Sequence, residues 1–409
     1  MTPSALRSWL AAALGALSVV LTVALCPPAA AQMRADFDLG AQWRINSVAR
    51  LMAGLPPIYP AHKEFAASGQ WKAHSAAMQA AMKKVGAERV AAMAAWRARA
   101  LPSGCPVGKT LLYPFAGPDF LNAWWLFPEC ETFVLFGLEH IGEVPRIESM
   151  TGPQFERLMG DVRAATADFF DRNYFITENM TRQLRTAQLR GVVPLMMISM
   201  AVSGLDILRI VPLDIAGGDA KPRSKGRSLR ALKGVTIEFK QPGSGVVRRV
   251  HYFSGDATDR GLARYPEFLA YVRGLAPATT FLKSASYLLH SRDFGQLRDA
   301  LLDVSGYLVQ DDSGLPYATL LARGWQMQLH GRYDVPIPPF ERAFQPALYR
   351  AYGEQKPDKL PFTFGYQYHD YRDERSNVMV GRGPAVQLQA AGGEGLRGVS
   401  LKSSTRLDR

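Results

Sequence analysis

The stretch from Lys109 to Glu139, KTLLYPFAGPDFLNAWWLFPECETFVLFGLE, constrains this chain more than any other. Leu111 to Phe115 is a short apolar run that suits a buried strand. Pro114 cannot donate to a ladder, so the strand ends about there. Ala116-Gly117-Pro118-Asp119 is a turn in which Gly117 supplies positive φ and Pro118 suits a first helical turn. Phe120 to Phe127 reads as a short helix closed by Pro128, and Thr132 to Leu138 as a second strand. Two strands joined through one helix run parallel, so the chain is committed to an α/β sheet built on this βαβ unit.

In open α/β sheets ligands bind beyond the carboxyl ends of the strands. Asp119 follows the first strand, Gly117 makes its turn, and Glu139 ends the second. A helix start near Asp119 offers unpaired N–H groups, and an acid in the place of Glu139 accepts ribose hydroxyls in many nucleotide sites. The layout resembles the opening βαβ of class I methyltransferases and dinucleotide-binding proteins, but with one turn glycine where they have several. The competing reading makes Asp119 a helix cap and places Glu139 in a loop salt bridge.

YPFAGPDF, TFVLFGLEHIG, FLKSASYLLH and QDDSGLPY together resemble an uncharacterised family of exported bacterial proteins. The resemblance runs over roughly residues 40 to 382. It implies that the four motifs belong to one protein type, and it brings no catalytic residues with it.

The start of the chain reads as a signal peptide over residues 1–31. Arg7 provides the charge, Trp9 to Leu25 the apolar region and Ala29-Ala30-Ala31 the cleavage site, so the mature chain begins at Gln32. An uncleaved anchor is the alternative, against which stand the short apolar run and Pro27-Pro28. Lipid attachment at Cys26 is disfavoured by the bulky Leu25. The expected location is periplasmic or secreted, with no transmembrane anchor after cleavage.

Formal net charge is +12. Part of it lies in Lys221, Arg223, Lys225, Arg227, Arg230 and Lys233. A solvated basic loop explains this cluster better than nucleic-acid binding, because no aromatic residues interleave with it. Cys105 and Cys130 remain after the signal. Each lies just before a strand of the βαβ unit, and the starts of adjacent parallel strands are neighbours. A disulfide is therefore expected at the end opposite the site; two free buried thiols are the alternative.

Residues 32–102 read as a helical N-terminal layer with Trp43, Trp71 and Trp96 as packing anchors. Residues 103–382 form the α/β core. Helices are expected at Gln154–Asn173, Glu178–Leu189 and Val192–Ser203, the last too short to span a membrane. Leu205–Leu213 is a strand, and Val235–Lys240 and Val246–Phe253 form an antiparallel hairpin. Pro266–Gly274 is a helix, Thr279–Lys283 a strand, and Ala285–His290 and Phe294–Ser305 are helices. Tyr307–Gln310 is a strand, and Trp325–Tyr333 is expected to be the last in the core. The tail, 383–409, is Gly-, Ser- and Arg-rich and expected to be disordered. Its Gly393-x-Gly395-x-x-Gly398 has no strand before it and is discarded as a dinucleotide motif.

Two further groups carry candidate chemistry. Lys283, Ser284, Ser286 and His290 follow a strand; Ser286 and His290, four apart on a helix, would share a face as nucleophile and base. A capping serine and an ordinary histidine are the alternative, and no Gly-x-Ser-x-Gly elbow is present. Asp311-Asp312-Ser313-Gly314 also follows a strand and suits either a divalent cation or a turn and N-cap. The expected molecule is a Rossmann-like α/β protein with a mixed sheet, binding a small ligand or an envelope partner at its strand ends. Gly117, Glu139, Lys283 and Asp312 are the expected ligand contacts. The alternative is a metal-assisted hydrolase using Asp119, His290 and Asp311.

Overall fold

The computed structural model describes residues 39–216, 219–222, 232–366 and 376–384. The signal segment, Cys26, Arg223 to Arg230 and the glycine motif of the tail lie outside the described residues. Leu39 to Gln42 close an N-terminal unit, and from Trp43 onward the chain belongs to a second compact unit.

Among the described residues ten strands form one sheet. They are β1 (Thr110–Pro114), β2 (Thr132–Gly137), β3 (Asp206–Ala216), β4 (Asp219–Pro222) and β5 (Lys233–Lys240). β6 (Arg248–Ser254), β7 (Ala278–Leu282), β8 (Ser305–Gln310), β9 (Gln326–Gly331) and β10 (Asn377–Arg382) follow. Their order across the sheet is β4-β3-β5-β6-β2-β1-β7-β8-β10-β9. The five central strands, β6, β2, β1, β7 and β8, are parallel; the pairings outside them are antiparallel.

Counted in chain order, the parallel strands lie 3-2-1-4-5, the doubly wound arrangement. β1 is the pivot. It pairs with β2 from Thr110↔Thr132 to Pro114↔Phe136, and with β7 through Leu111↔Thr279 and Leu112↔Thr280. The chain leaves β1 towards one edge and returns later on its other side, so the connections lie on opposite faces and a crevice opens at the carboxyl ends.

Alternation along the strands explains the layers. Tyr113, Phe133, Leu135, Tyr252 and Phe281 share one apolar core with helices Phe120–Leu126, Gly152–Arg172 and Val193–Val202. Leu112, Val134, Phe136, Leu282 and Leu308 face the other core, with helices Pro266–Arg273 and Gly295–Val304. Central strands buried on both faces need apolar residues at nearly every position, which is why they read as continuous runs.

The N-terminal helices join the first of these cores through Val48, Leu51, Trp71, Met78 and Trp96. Asn46 fastens them to the sheet: its amide donates to Ile207 O at 2.7 Å and accepts from Ile207 N at 2.9 Å. Trp43 is a correction, since it is 54% exposed and anchors no packing. Helices Gly69–Val85 and Ala91–Ala100 run on through a π-turn at Gly86–Val90. There Arg89 turns inward and donates to the carbonyls of Phe169 and Phe170, capping the end of helix Gly152–Arg172.

Three expected elements change. Glu178–Leu189 contracts to Thr177–Gln183, followed by a tight turn closed by an Arg185↔Arg190 bridge. Ala285–His290 is no α-helix; only Leu288–His290 makes a 3₁₀ turn. Trp325–Tyr333 supplies β9, but the last strand is β10, inserted antiparallel between β8 and β9.

Cys105 and Cys130 form a disulfide, with Cα atoms 4.7 Å apart. It ties the approach to β1 to the approach to β2, at the end of the sheet away from the crevice. Replacing both cysteines by serine releases a loop of separation 25 and lowers unfolding free energy by about 3 kcal/mol on the chain-entropy model. Denaturant unfolding of the oxidised protein against the double variant checks this; equal midpoints would refute it.

Candidate functional site

The crevice at the carboxyl ends of β1, β2 and β7 holds a cavity of about 790 Å³. Gly117, Asp119, Glu139, Lys283 and Ser286, all singled out from sequence, line it, and Ser284 joins them. Asp311, Asp312 and His290 do not.

Asp119 lies where the turn after β1 becomes helix Phe120–Leu126. Its carboxylate accepts from Asn122 N at 3.2 Å, so it caps that helix. It is also ion-paired: Lys283 Nζ, just beyond β7, is 3.0 Å from Oδ2, and both side chains are almost wholly buried. Tyr113 donates to the same oxygen at 2.9 Å, and Asn122 Nδ2 donates to Oδ1 at 3.0 Å and reaches on to Asn173 Oδ1 at 3.1 Å. Asn173 Nδ2 in turn donates to Thr363 O. The turn, β7, the end of helix Gly152–Arg172 and the segment before Tyr366 are thus joined by one buried polar network. Burial and the Asp119 charge push the Tyr113 hydroxyl well above its usual range.

Glu139 sits beyond β2 with its carboxyl folded back over two glycines. A Cβ on Gly137 would stand 2.6 Å from Oε2, and one on Gly117 3.5 Å. Gly117 has φ +51°, so both the backbone and the close approach favour glycine there. Tyr252, on β6, donates to Glu139 O at 2.9 Å and lies 3.4 Å from Oε2. Burial raises the Glu139 pKa, partly offset by backbone N–H contacts and the Tyr252 hydroxyl. The salt bridge anticipated for Glu139 is not formed with any described residue.

The loop after β7 carries three consecutive or near-consecutive left-handed residues that are not glycine: Ser284 (φ 52°), Ser286 (φ 53°) and Tyr287 (φ 53°). Phe115, in the loop after β1, is a fourth (φ 61°). Such backbone persists only where its surroundings hold it. Asp311 Oδ2 accepts from Ser284 N at 2.8 Å, Ser313 Oγ accepts from Ala285 N at 2.7 Å, and Tyr366 donates to Ser284 O at 2.9 Å. Ser286 Oγ is 2.8 Å from Tyr366 Oη. The expected Ser286–His290 pairing is corrected here: without the helix, Ser286 turns to Tyr366. His290 has its Nε2 buried without a partner, and burial lowers its pKa to about 4. Of the proposed hydrolase residues only Asp119 lines the cavity.

Asp311 and Asp312 lie behind this loop, both buried. Asp311 also accepts from Ser313 N at 3.0 Å and Ser313 Oγ at 2.5 Å. Asp312 accepts from Tyr287 Oη and, at 2.9 Å, from Asn377 Nδ2 on β10. Burial raises both; donors from Ser313 and Ser284 and the nearby Lys283 charge pull Asp311 back. Asp312 is pushed up to about 7 by burial and by Asp311. Among the described residues no group of three or more His, Cys, Asp or Glu side chains is placed to hold a metal ion.

Several wall residues gave no sequence signal. Tyr174, Phe175, Phe340 and Tyr366 come from segments far from any strand of the βαβ unit. Set beside known proteins, the chain matches no family model, no curated protein and no solved structure.

Asp119→Ala leaves the Lys283 ammonium buried without a counter-ion and lowers stability by about 3–5 kcal/mol. Asp119→Asn combined with Lys283→Met removes both charges and recovers most of that loss; denaturant midpoints of the three proteins check it. Asp312 also predicts a pH dependence. Its folded pKa of about 7 exceeds the ordinary 3.8, so the folded state binds more protons between those values. The contribution of this group to stability is therefore largest at low pH and falls as pH rises through about 7. Melting temperatures compared between about pH 5 and about pH 8 show this fall, and Asp312→Asn reduces it.

Proposed function

We propose that this is an exported protein whose task is to bind a small molecule in the cavity at the strand ends. The observation that carries the reading is positional. A cavity of about 790 Å³ opens where β1 hands over to β2 on one side and β7 on the other, the place at which doubly wound sheets take ligands. Its make-up fits: aromatic and aliphatic walls, with a few inward polar groups in Glu139, Ser284, Ser286 and Tyr366. Left-handed backbone at Phe115, Ser284 and Ser286 concentrates conformational strain on its rim, a pattern of binding sites. Export is supported by the signal-like start and by the Cys105–Cys130 disulfide, which suits an oxidising compartment.

The buried network argues for binding over acid–base chemistry. Asp119 is held by an ion pair, a tyrosine and an asparagine, and Asp311 by a serine and two backbone groups. Both carboxylates position loops.

Thermal melting of the chain from Gln32 with a panel of small molecules tests the reading. A ligand present at about 100 times its Kd adds about 2.7 kcal/mol of stability. That gain disappears in Leu288→Trp, in which a larger ring takes up part of the cavity while the protein still melts cooperatively. A panel that shifts the native protein and Leu288→Trp alike would place the ligand elsewhere.

A further inference from the structure

We propose that the cavity selects a small organic cation, an ammonium group on an apolar body, with Glu139 as its counter-ion. The proposal rests on the cavity being a ligand site, and it concerns the charge that site accepts.

The charges of the wall are Asp119, Glu139 and Glu178 against Arg172 and Lys283. Lys283 is paired with Asp119 at 3.0 Å. Arg172 faces Asp168 one helical turn back, 3.8 Å away. Among the described residues neither Glu139 nor Glu178 has an ion-pair partner. The wall is therefore acidic, in a chain whose net charge is +12. Among the described residues of this wall both basic side chains face a carboxylate, an arrangement poorly suited to an anionic ligand.

The donors that hold phosphate in related architectures are also occupied. Phosphate sites in doubly wound sheets use the free N–H groups at the start of the helix after β1. Here the Asp119 carboxylate already sits at that start and accepts from Asn122 N. An incoming phosphate or carboxylate would meet a second negative charge at that position and a third at Glu139. A nucleotide is thereby disfavoured at the very turn that resembles a nucleotide-binding one.

A cation meets the opposite situation. Glu139 is half-buried at the cavity wall, where backbone N–H groups and a long contact of 3.4 Å from the Tyr252 hydroxyl to Oε2 are its neighbours, and none of them carries a positive charge. Its ionised form lacks a counter-charge, which an ammonium would supply. The walls add a second source of attraction. Phe115, Phe175, Phe340, Tyr174 and Tyr366 line the space, and Tyr366 lies 5.1 Å from Tyr174 and 5.6 Å from Phe340 by ring centroids. Aromatic faces attract cations, the more so when water is excluded.

The test uses three probes that share a phenyl body: 2-phenylethylamine, 2-phenylethanol and 3-phenylpropionate. Calorimetric titration measures each against the mature chain and against Glu139→Gln, with the neutral dye Nile red as a reporter of the cavity itself. The amine is expected to bind about tenfold more tightly than the alcohol, equivalent to a cation attraction of about 1.4 kcal/mol, and the carboxylate more weakly than either. Glu139→Gln should abolish the preference for the amine while keeping the affinity for the alcohol and for Nile red. Equal binding of amine and alcohol, or a preference that survives Glu139→Gln, would overturn the charge selection and leave an apolar ligand site. Failure of all three probes and of Nile red would overturn the ligand reading as well.

Discussion

The ion pair between Asp119 and Lys283 holds the crevice open in a fixed shape. It joins the turn after β1 to the residue beyond β7, and these two strands diverge at the switch point. Neither charge has water to fall back on, so each needs the other together with the hydrogen bonds around it. Replacing such a pair by apolar residues is often neutral for stability, so its presence is better explained by geometry. It fixes where the glycine turn, the helix Phe120–Leu126 and the Ser284–Tyr287 loop stand relative to one another. Tyr113 and Asn122 extend the same constraint to Asn173 and the segment before Tyr366. The floor of the cavity is thus rigid, and its rim is built on that floor.

How much of this was legible in sequence follows from the range of the interactions. The βαβ unit was legible because its alternation, its turn residues and its capping aspartate are local; Asp119 does cap its helix as the spacing implied. The disulfide was legible because parallel neighbours start side by side. The partner of Asp119 was not, because Lys283 lies 164 residues away and ordinary lysines are solvated. β10 escaped because NVMVGR is a short run whose strand character comes from filling the gap between β8 and β9. The Ser286–His290 pairing assumed helical spacing. Nothing in FLKSASYLLH announces three left-handed residues, because Ser and Tyr are not turn-formers of the glycine kind and their φ is imposed from outside by Asp311, Ser313 and Tyr366.

The same loop explains the adjacent acids. QDDSG looks like a cation loop in sequence, yet its two carboxylates face different ways. Asp311 turns to the backbone of Ser284 and to Ser313, and so holds the β7 loop against the β8 loop. Asp312 turns to Tyr287 and to Asn377 on β10. Asn377 Oδ1 also receives Asp312 N at 2.8 Å, so the antiparallel strand inserted late in the chain is fastened to the loops of the site. Two buried carboxylates side by side cannot both ionise at low cost. Asp311, with more donors and the Lys283 charge near it, is the one better able to stay ionised, and Asp312 is the one that takes up a proton near neutrality.

This division has a consequence for how the site would respond to its surroundings. Tyr287 stacks beside Tyr366 and against Phe340, both of which line the cavity. When Asp312 is ionised, Tyr287 donates to a carboxylate, and that charge-assisted bond is stronger than one to a neutral acid. Against it stands the cost of a second buried negative charge beside Asp311. The two effects oppose each other at the same residue, so the aromatic wall is held by a bond whose strength varies with pH while the Asp119–Lys283 floor is set by a separate pair. The architecture therefore separates a fixed element, which sets the floor of the cavity beside Glu139, from an adjustable one, which governs how firmly the aromatic side of the cavity is held.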